Sequence, residues 1–329
     1  MGKNDFFYDF TNDMPANPSE EGSGAQAYKD IEFIEDTPPL IAYLIKDWIS
    51  HKRYPELVEY ATSRIVGQPN VELVLADIYN YLRNISMGIH PNNNVIIAAP
   101  SGCGKTETYR VVRDYFKKII PELPVIQYDM TSMAAEGTKN FDPSEMVSVL
   151  LSHPETNGIG IVFIDEFDKK LKKSDINSSI QSQILTTIEG RIFSDGDNKI
   201  DTNNTLFIAL GAFDFLRRER VNKDYYEAIT RTEMIENGAM YELIGRFSSL
   251  INYKKLALES VIQIIEKKVC DLSLLLGYDV EISSDTINYL VTMSGTEYGC
   301  RMFDSILKDK AMPIYNRLLK TAENESIII

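Results

Sequence analysis

From Ile65 to Tyr253 the chain alternates helical periodicity with short, strongly apolar runs: NVIIAAP (94–100), PVIQYD (124–129), GIVFID (160–165), NTLFIAL (204–210) and SLINY (249–253). Runs of this kind, rich in β-branched residues and separated by helices, are what a parallel sheet covered on both faces requires. The pattern predicts an α/β fold with a doubly wound parallel sheet. Beyond Lys255 the period changes to long amphipathic helices over 256–276, 284–294 and 299–320, with short strands at DVEIS (279–283) and SIII (326–329). That predicts a smaller, mostly helical second domain. The β-rich SIII favours a final strand over a partner-docking tail.

Upstream of the alternating region, LIAYLIKDWISHKRY follows Pro38-Pro39 and puts Leu40, Ile41, Leu44, Ile45, Trp48 and Ile49 on one helical face. Core packing is the first use expected of such a face, and partner docking the second. The preceding 36 residues are different in kind. They hold nine acidic side chains against Lys3 and Lys29, mixed with Asn, Pro, Ser and Gly, and so carry half of the net charge of −14. Such a segment cannot bury enough apolar surface to offset the entropy of ordering, and is expected to be disordered or a docking tail. The chain therefore divides into an acidic extension with one helix (1–58), a large α/β domain (59–254) and a small helical domain (255–329), without internal repeats.

Composition adds limits. With 329 residues, 44% of them apolar, the chain can bury a large core. It has neither an apolar run of about 18 residues nor a signal-peptide pattern, which predicts no membrane association and a cytoplasmic protein. Cys103, Cys270 and Cys300 are odd in number and match no CxxC spacing, and His51, His90 and His153 are scattered, so no disulfide framework or zinc site is expected. The acidic balance argues against a nucleic-acid partner.

Chemistry enters at AAPSGCGKTE (98–107). A strand ends at Ala98, a loop follows, and Lys105-Thr106 open an amphipathic helix, the arrangement in which backbone N–H groups and a helix N-terminus converge on phosphate oxygens. Ser101, Gly102, Cys103, Gly104 and Glu107 complete the candidate loop. Lys105 is suited to the β- and γ-phosphates of ATP and the Thr106 hydroxyl to Mg²⁺. Ala99 stands where the strict GxxxxGK[ST] pattern has glycine, at the strand-to-loop corner, where a methyl group is tolerated. Sixty residues on, IVFIDEFDKK ends an apolar run with Asp165, placed to hold the Mg²⁺ shell, and Glu166, placed to deprotonate an attacking water. Together the motifs predict an ATPase.

In this order and spacing the motifs resemble those of the ring-forming AAA+ unfoldases of the ClpX and HslU family. The likeness runs from RIVGQ (64–68) through the phosphate loop and FIDEFDK to SIQSQILTTIEG (179–190), IDTNNTLFIALGAFD (200–214), ELIGRFSSL (242–250) and YGCRMFDSIL (298–307). It implies that Ile65 and Val66 pack near adenine. It also implies that Arg246 is an arginine finger reaching a neighbouring subunit's site, that Arg301 is the sensor-2 arginine, and that the chain forms a homo-oligomer, a hexameric ring.

Several departures bear on function. The family's first pore loop carries an aromatic-hydrophobic pair after glycine, whereas here Gly137 is followed by Thr138-Lys139-Asn140, with Phe141 next. The stretch 211–238 is short and lacks an Ile-Gly-Phe tripeptide, which argues against docking on the ClpP peptidase. The family's extra domains, an N-terminal zinc-binding one in ClpX and a large insertion in HslU, have no counterpart. ALGAF offers no polar side chain at the end of the fourth strand, where many AAA+ proteins place a water-polarising residue. The expectation is a Mg²⁺-dependent ring ATPase that remodels a particular protein partner, pushing with the loops around Gly137 and 191–199. An ATP-gated scaffold with slow turnover is the alternative, and a nucleic-acid motor or loader is a third.

Overall fold

The computed structural model describes residues 39–133, 144–220, 224–296, 299–321 and 325–329. Its strands are Val95–Ala98 (β1), Val125–Asp129 (β2), Gly160–Asp165 (β3), Ile192–Asp195 (β4), Asn198–Asp201 (β5), Thr205–Gly211 (β6), Ser249–Asn252 (β7), Val280–Glu281 (β8) and Ile327–Ile328 (β9). A five-stranded sheet has the order β2-β3-β6-β1-β7, and every neighbouring pair is parallel. Each of its strands is one of the apolar runs read from the sequence.

Why those runs are unbroken is visible in the partition of their side chains. Successive residues of a strand face opposite sides, and here both sides are covered. Val95 and Ile97, Ile161 and Phe163, and Leu206, Ile208 and Leu210 join one hydrophobic cluster with the helices Pro39–Ser50, Tyr54–Thr62, Val71–Ser86 and Lys105–Ile119. Ile96 and Ala98, Val162 and Ile164, and Phe207 and Ala209 join the other, with the helices Asp175–Ile188 and Tyr241–Gly245.

The helix Pro39–Ser50 is part of this core. Ile41, Ile45 and Trp48 are buried, Leu44 and Ile49 pack against them, and the indole N–H of Trp48 donates to the hydroxyl of Tyr115 at 3.1 Å. Leu40, assigned to the same face by the periodicity, is instead exposed, as is Tyr43. The segment 191–199, read as a loop, forms the antiparallel hairpin β4–β5. Phe193 and Ile200 face each other and are buried, while Gly196 takes a left-handed φ of 58° at the turn. The residues 137–141, expected to form a pore loop, lie outside the described residues.

A third hydrophobic cluster draws its fully buried members from residues 261–329 alone. It is built on the helices Leu258–Leu276, Ser284–Ser294 and Phe303–Thr321 and on β8 and β9, which pair in parallel. The C-terminal SIII is thus a strand. Among the described residues no helix is long and apolar enough to cross a membrane.

Candidate active site

The strand order brings the two candidate motifs to one edge. β6 lies between β1 and β3, so the loop after β1 and the acidic pair ending β3 flank the carboxyl end of β6, where the open crevice of a parallel sheet lies. Ala99 extends β1 by donating its N–H to the carbonyl of Gly211 at 3.0 Å. Its methyl group is buried in the core, and its φ is not positive. Nothing at this corner requires glycine.

Gly102 and Gly104 do require it or use it. Their φ values are +77° and +92°, a region that costs a residue with a Cβ about 1–2 kcal/mol. A Cβ on Gly102 would also lie 2.9 Å from the backbone nitrogen of Cys300 and from Cα of Gly299. The loop is therefore packed directly on the segment that carries Arg301. Gly104 is the residue before the helix Lys105–Ile119. The Lys105 ammonium, buried, donates to the carbonyls of Ala99 and, at 3.1 Å, of Pro100.

Two cavities meet at Lys105. The larger, about 430 Å³, is lined by Ile65 and Val66 on one wall and by Gly102, Cys103, Gly104, Lys105, Thr106 and Glu107 on the floor. Ile264 and Cys300 of the C-terminal cluster, and Arg301 beside them, close it. The RIVGQ stretch is fixed there by Gln68, which donates to the Lys254 carbonyl at 2.7 Å and accepts from the Lys254 N–H at 3.0 Å. The smaller cavity, about 120 Å³, is lined by Ser101, Lys105, Asp165, Glu166 and Arg301, together with Lys169, Asp214 and the Leu210–Ala212 end of β6. Lys105 and Arg301 border both.

The acidic pair is held from several directions. Asp165 accepts from the Gln127 side chain at 2.6 Å and from the Glu166 N–H at 2.9 Å, which orients both oxygens. Glu166 has a left-handed φ of 54°, a conformation that stores strain of about 1–3 kcal/mol and is tolerated where surroundings enforce it. Burial raises the pKa of Glu166 above the usual carboxylate range, and the nearby charge of Asp168 adds to the effect, against the pull of Lys169. Asp168 is itself fully buried. One of its oxygens accepts from the Phe213 N–H at 2.9 Å, and the other has no hydrogen-bond partner.

Residues 90–250 match the AAA domain family, Cdc48 subfamily. The chain is 25% identical over 318 residues to ATP-dependent Clp protease ATP-binding subunit ClpX 2 of Wolinella succinogenes, covering 82% of this chain and 79% of that one. It is 24% identical over 293 residues to the ClpX subunit of Porphyromonas gingivalis (72% and 70% covered). Against that of Treponema denticola it is 26% identical over 263 residues (64% and 62%). The chain is an ATPase with an AAA domain, similar to ClpX over most of its length.

The structure brings together along the two cavities every candidate site residue read from the sequence except Arg246, which it sets apart. Arg246 follows the helix Tyr241–Gly245, is half exposed, lines neither cavity, and pairs with Glu189 at 2.5 Å. Sequence reasoning missed Asp168, Lys169 and Asp214. FDKK and AFDF do carry them within a few residues of the two motifs, but only the turns after β3 and β6 determine which side chains face inward.

Lys105 gives this ATPase a measurable pH signature. Desolvation by burial holds its pKa at about 8, with Asp168 opposing. Phosphate oxygens placed beside the amine would favour the charged form and raise that pKa again. ATP binding just above pH 8 is therefore expected to take up a fraction of a proton, and affinity to fall as pH rises through that value. Titration calorimetry in buffers of different ionisation enthalpy reads the uptake, and Lys105→Met should abolish it.

Proposed function

We propose that this protein is a Mg²⁺-dependent ATPase that works as a homo-oligomeric ring, a hexamer, to remodel or unfold a particular protein partner. The observation that carries the reading is the convergence, at Lys105 and Arg301, of a phosphate-loop cavity with a cavity walled by Asp165 and Glu166.

The larger cavity has the size, mixed polarity and apolar wall of Ile65 and Val66 suited to a nucleoside. The N–H groups of the loop and the start of the helix Lys105–Ile119 are suited to the phosphates. Lys105 would exchange its carbonyl partners for phosphate oxygens, a trade of neutral acceptors for charged ones. Among the described residues no cluster of three or more His, Cys, Asp or Glu is arranged to hold a metal. Mg²⁺ fits nonetheless, because it binds through one or two protein ligands and keeps water and phosphate for the rest. Thr106 and Asp165 would hold it. When bound, it supplies positive charge to the phosphate oxygens. Glu166, deprotonated, accepts a proton from the attacking water. Arg246 of a neighbouring subunit would stabilise charge on the transferred phosphoryl group. Arg301 borders both cavities and lies just before the C-terminal helix Phe303–Thr321, so hydrolysis would alter the contact between Gly102 and Gly299-Cys300 and move one cluster against the other.

The relatives are named as subunits of the Clp protease. The short stretch 211–238 without Ile-Gly-Phe supports action without that peptidase in this chain. A polypeptide client, and not DNA or RNA, follows from the acidic balance and the ClpX likeness. The test is to isolate what copurifies with the Glu166→Gln protein, which should hold ATP and client together, and to add it to wild-type enzyme. Client-stimulated ATP turnover supports remodelling. Slow turnover indifferent to the client indicates a scaffold, and stimulation by DNA or RNA a nucleic-acid motor.

A further inference from the structure

One side chain of the smaller cavity is not accounted for by the phosphate loop or the acidic pair. β6 ends in Leu210-Gly211 and Ala212 follows, none of which has a polar side chain, yet Asp214 lines the cavity with Lys105, Glu166 and Arg301. Asp214 arrives there because the chain turns sharply after the strand. Phe213 adopts a left-handed φ of 55°, and its N–H is held by buried Asp168 at 2.9 Å. Gly211 admits no Cβ, which would lie 2.6 Å from the Phe213 ring and 3.0 Å from the Asp168 Cβ. From the far side, Arg217, also buried, donates to the Ala212 carbonyl at 2.9 Å. A left-handed turn clamped this way is specified by its surroundings.

The carboxylate so delivered is itself oriented. The Tyr225 hydroxyl donates to Oδ1 of Asp214, and among the described residues no other side chain donates to it. An ionised carboxylate has two acceptor oxygens, and Oδ2 accepts from no side chain among the described residues. A water that attacks phosphorus must present a lone pair to it, with both O–H bonds directed elsewhere. One acceptor fixes one proton only.

We propose that Asp214 hydrogen-bonds the nucleophilic water, fixing the proton that Glu166 does not take. The inference rests on the reading of Glu166 as the base. In the step, the water oxygen bonds to the γ-phosphorus as the bond from phosphorus to the β–γ bridging oxygen breaks. That electron pair leaves with ADP. One water proton passes to Glu166; the other stays on the new phosphate oxygen and remains hydrogen-bonded to Asp214. Asp168 and Arg217 are positioning residues for this carboxylate, and Tyr225 aligns it.

The test compares Asp214→Ala, Asp214→Asn and Tyr225→Phe for kcat, ATP affinity and thermal midpoint, with Glu166→Gln alongside. Misplacing a reacting group by about 1 Å costs on the order of 100-fold, so Asp214→Ala should lower kcat by roughly that factor with ATP affinity unchanged. Asn keeps an acceptor oxygen, and Asp214→Asn should recover most of the loss. Wild-type kcat in Asp214→Ala, or loss of kcat and ATP affinity together, overturns the proposal. If Asp214→Ala does not fold, Tyr225→Phe decides: a lowered kcat at unchanged affinity supports the proposal, and wild-type kcat overturns it. A fully active Glu166→Gln removes the underlying reading, whereas an inactive Glu166→Gln beside a fully active Asp214→Ala removes only the role of Asp214.

Discussion

Glu166→Gln is expected to lower steady-state ATP hydrolysis by on the order of 10²–10⁴-fold, the range for loss of a positioned general base, while ATP still binds. The separation follows from geometry. Glu166 lines the smaller cavity and not the larger one, and glutamine keeps its size while losing the ability to take a proton. The backbone also survives the change, because the Glu166 N–H to Asp165 bond does not involve the substituted side chain. Rapid-quench kinetics together with binding of a fluorescent ATP analogue distinguish the two properties. In the wild-type enzyme the same carboxylate should shape the pH profile. Its pKa is raised, first by burial and then by Asp168, so the base is lost by protonation as pH falls through a value above the usual glutamate range. The acid limb of kcat should be displaced upward accordingly, and the Gln variant should lack it.

Arg246→Ala is the second large effect. An arginine finger contributes about 10³–10⁵ in kcat, and a loss on that order is expected here even though Arg246 touches neither cavity of its own chain. Stability should barely change. The exposed pair with Glu189 is of a kind that contributes about 0–1 kcal/mol. The backbone at Arg246 is anchored independently, its N–H donating to Leu243 and its carbonyl accepting from Asn94 at 3.3 Å. A thermal midpoint near wild type with collapsed turnover is therefore the expected pair of results. Mixing Arg246→Ala with Glu166→Gln protein should restore part of the activity. At some seams an intact glutamate from one variant then meets an intact arginine from the other. Full activity of Arg246→Ala alone would remove the shared-site mechanism.

Much of the architecture was legible because burial on both faces leaves a plain mark. A strand such as Ile161–Ile164 has no polar position to spare, and the parallel sheet follows. Phosphate-loop residues were legible for a related reason: glycines at left-handed positions and a lysine at a helix start have few other uses in that order. The hairpin β4–β5 was less so. Its buried positions, Phe193 and Ile200, are far apart among polar neighbours, and the adjacent apolar Ile192 is exposed, so the period of two shows only once the strands are paired. Leu40 was misassigned because helical periodicity gives a face and not its width.

The sequence alone, then, determined the parallel sheet, the helical C-terminal cluster and the glycines and lysine of the loop after β1, since each depends on local periodicity or on backbone geometry within a few residues. The tertiary structure alone decided that β6 lies between the two motifs, that Gly102 packs on Gly299 and Cys300, that Arg246 lines neither cavity of its own chain, and that Asp214 lines one. Those facts depend on strand order and on turns clamped by residues distant in the chain, such as Asp168 on Phe213. No local pattern encodes a contact whose partners are separated by forty-five or more positions.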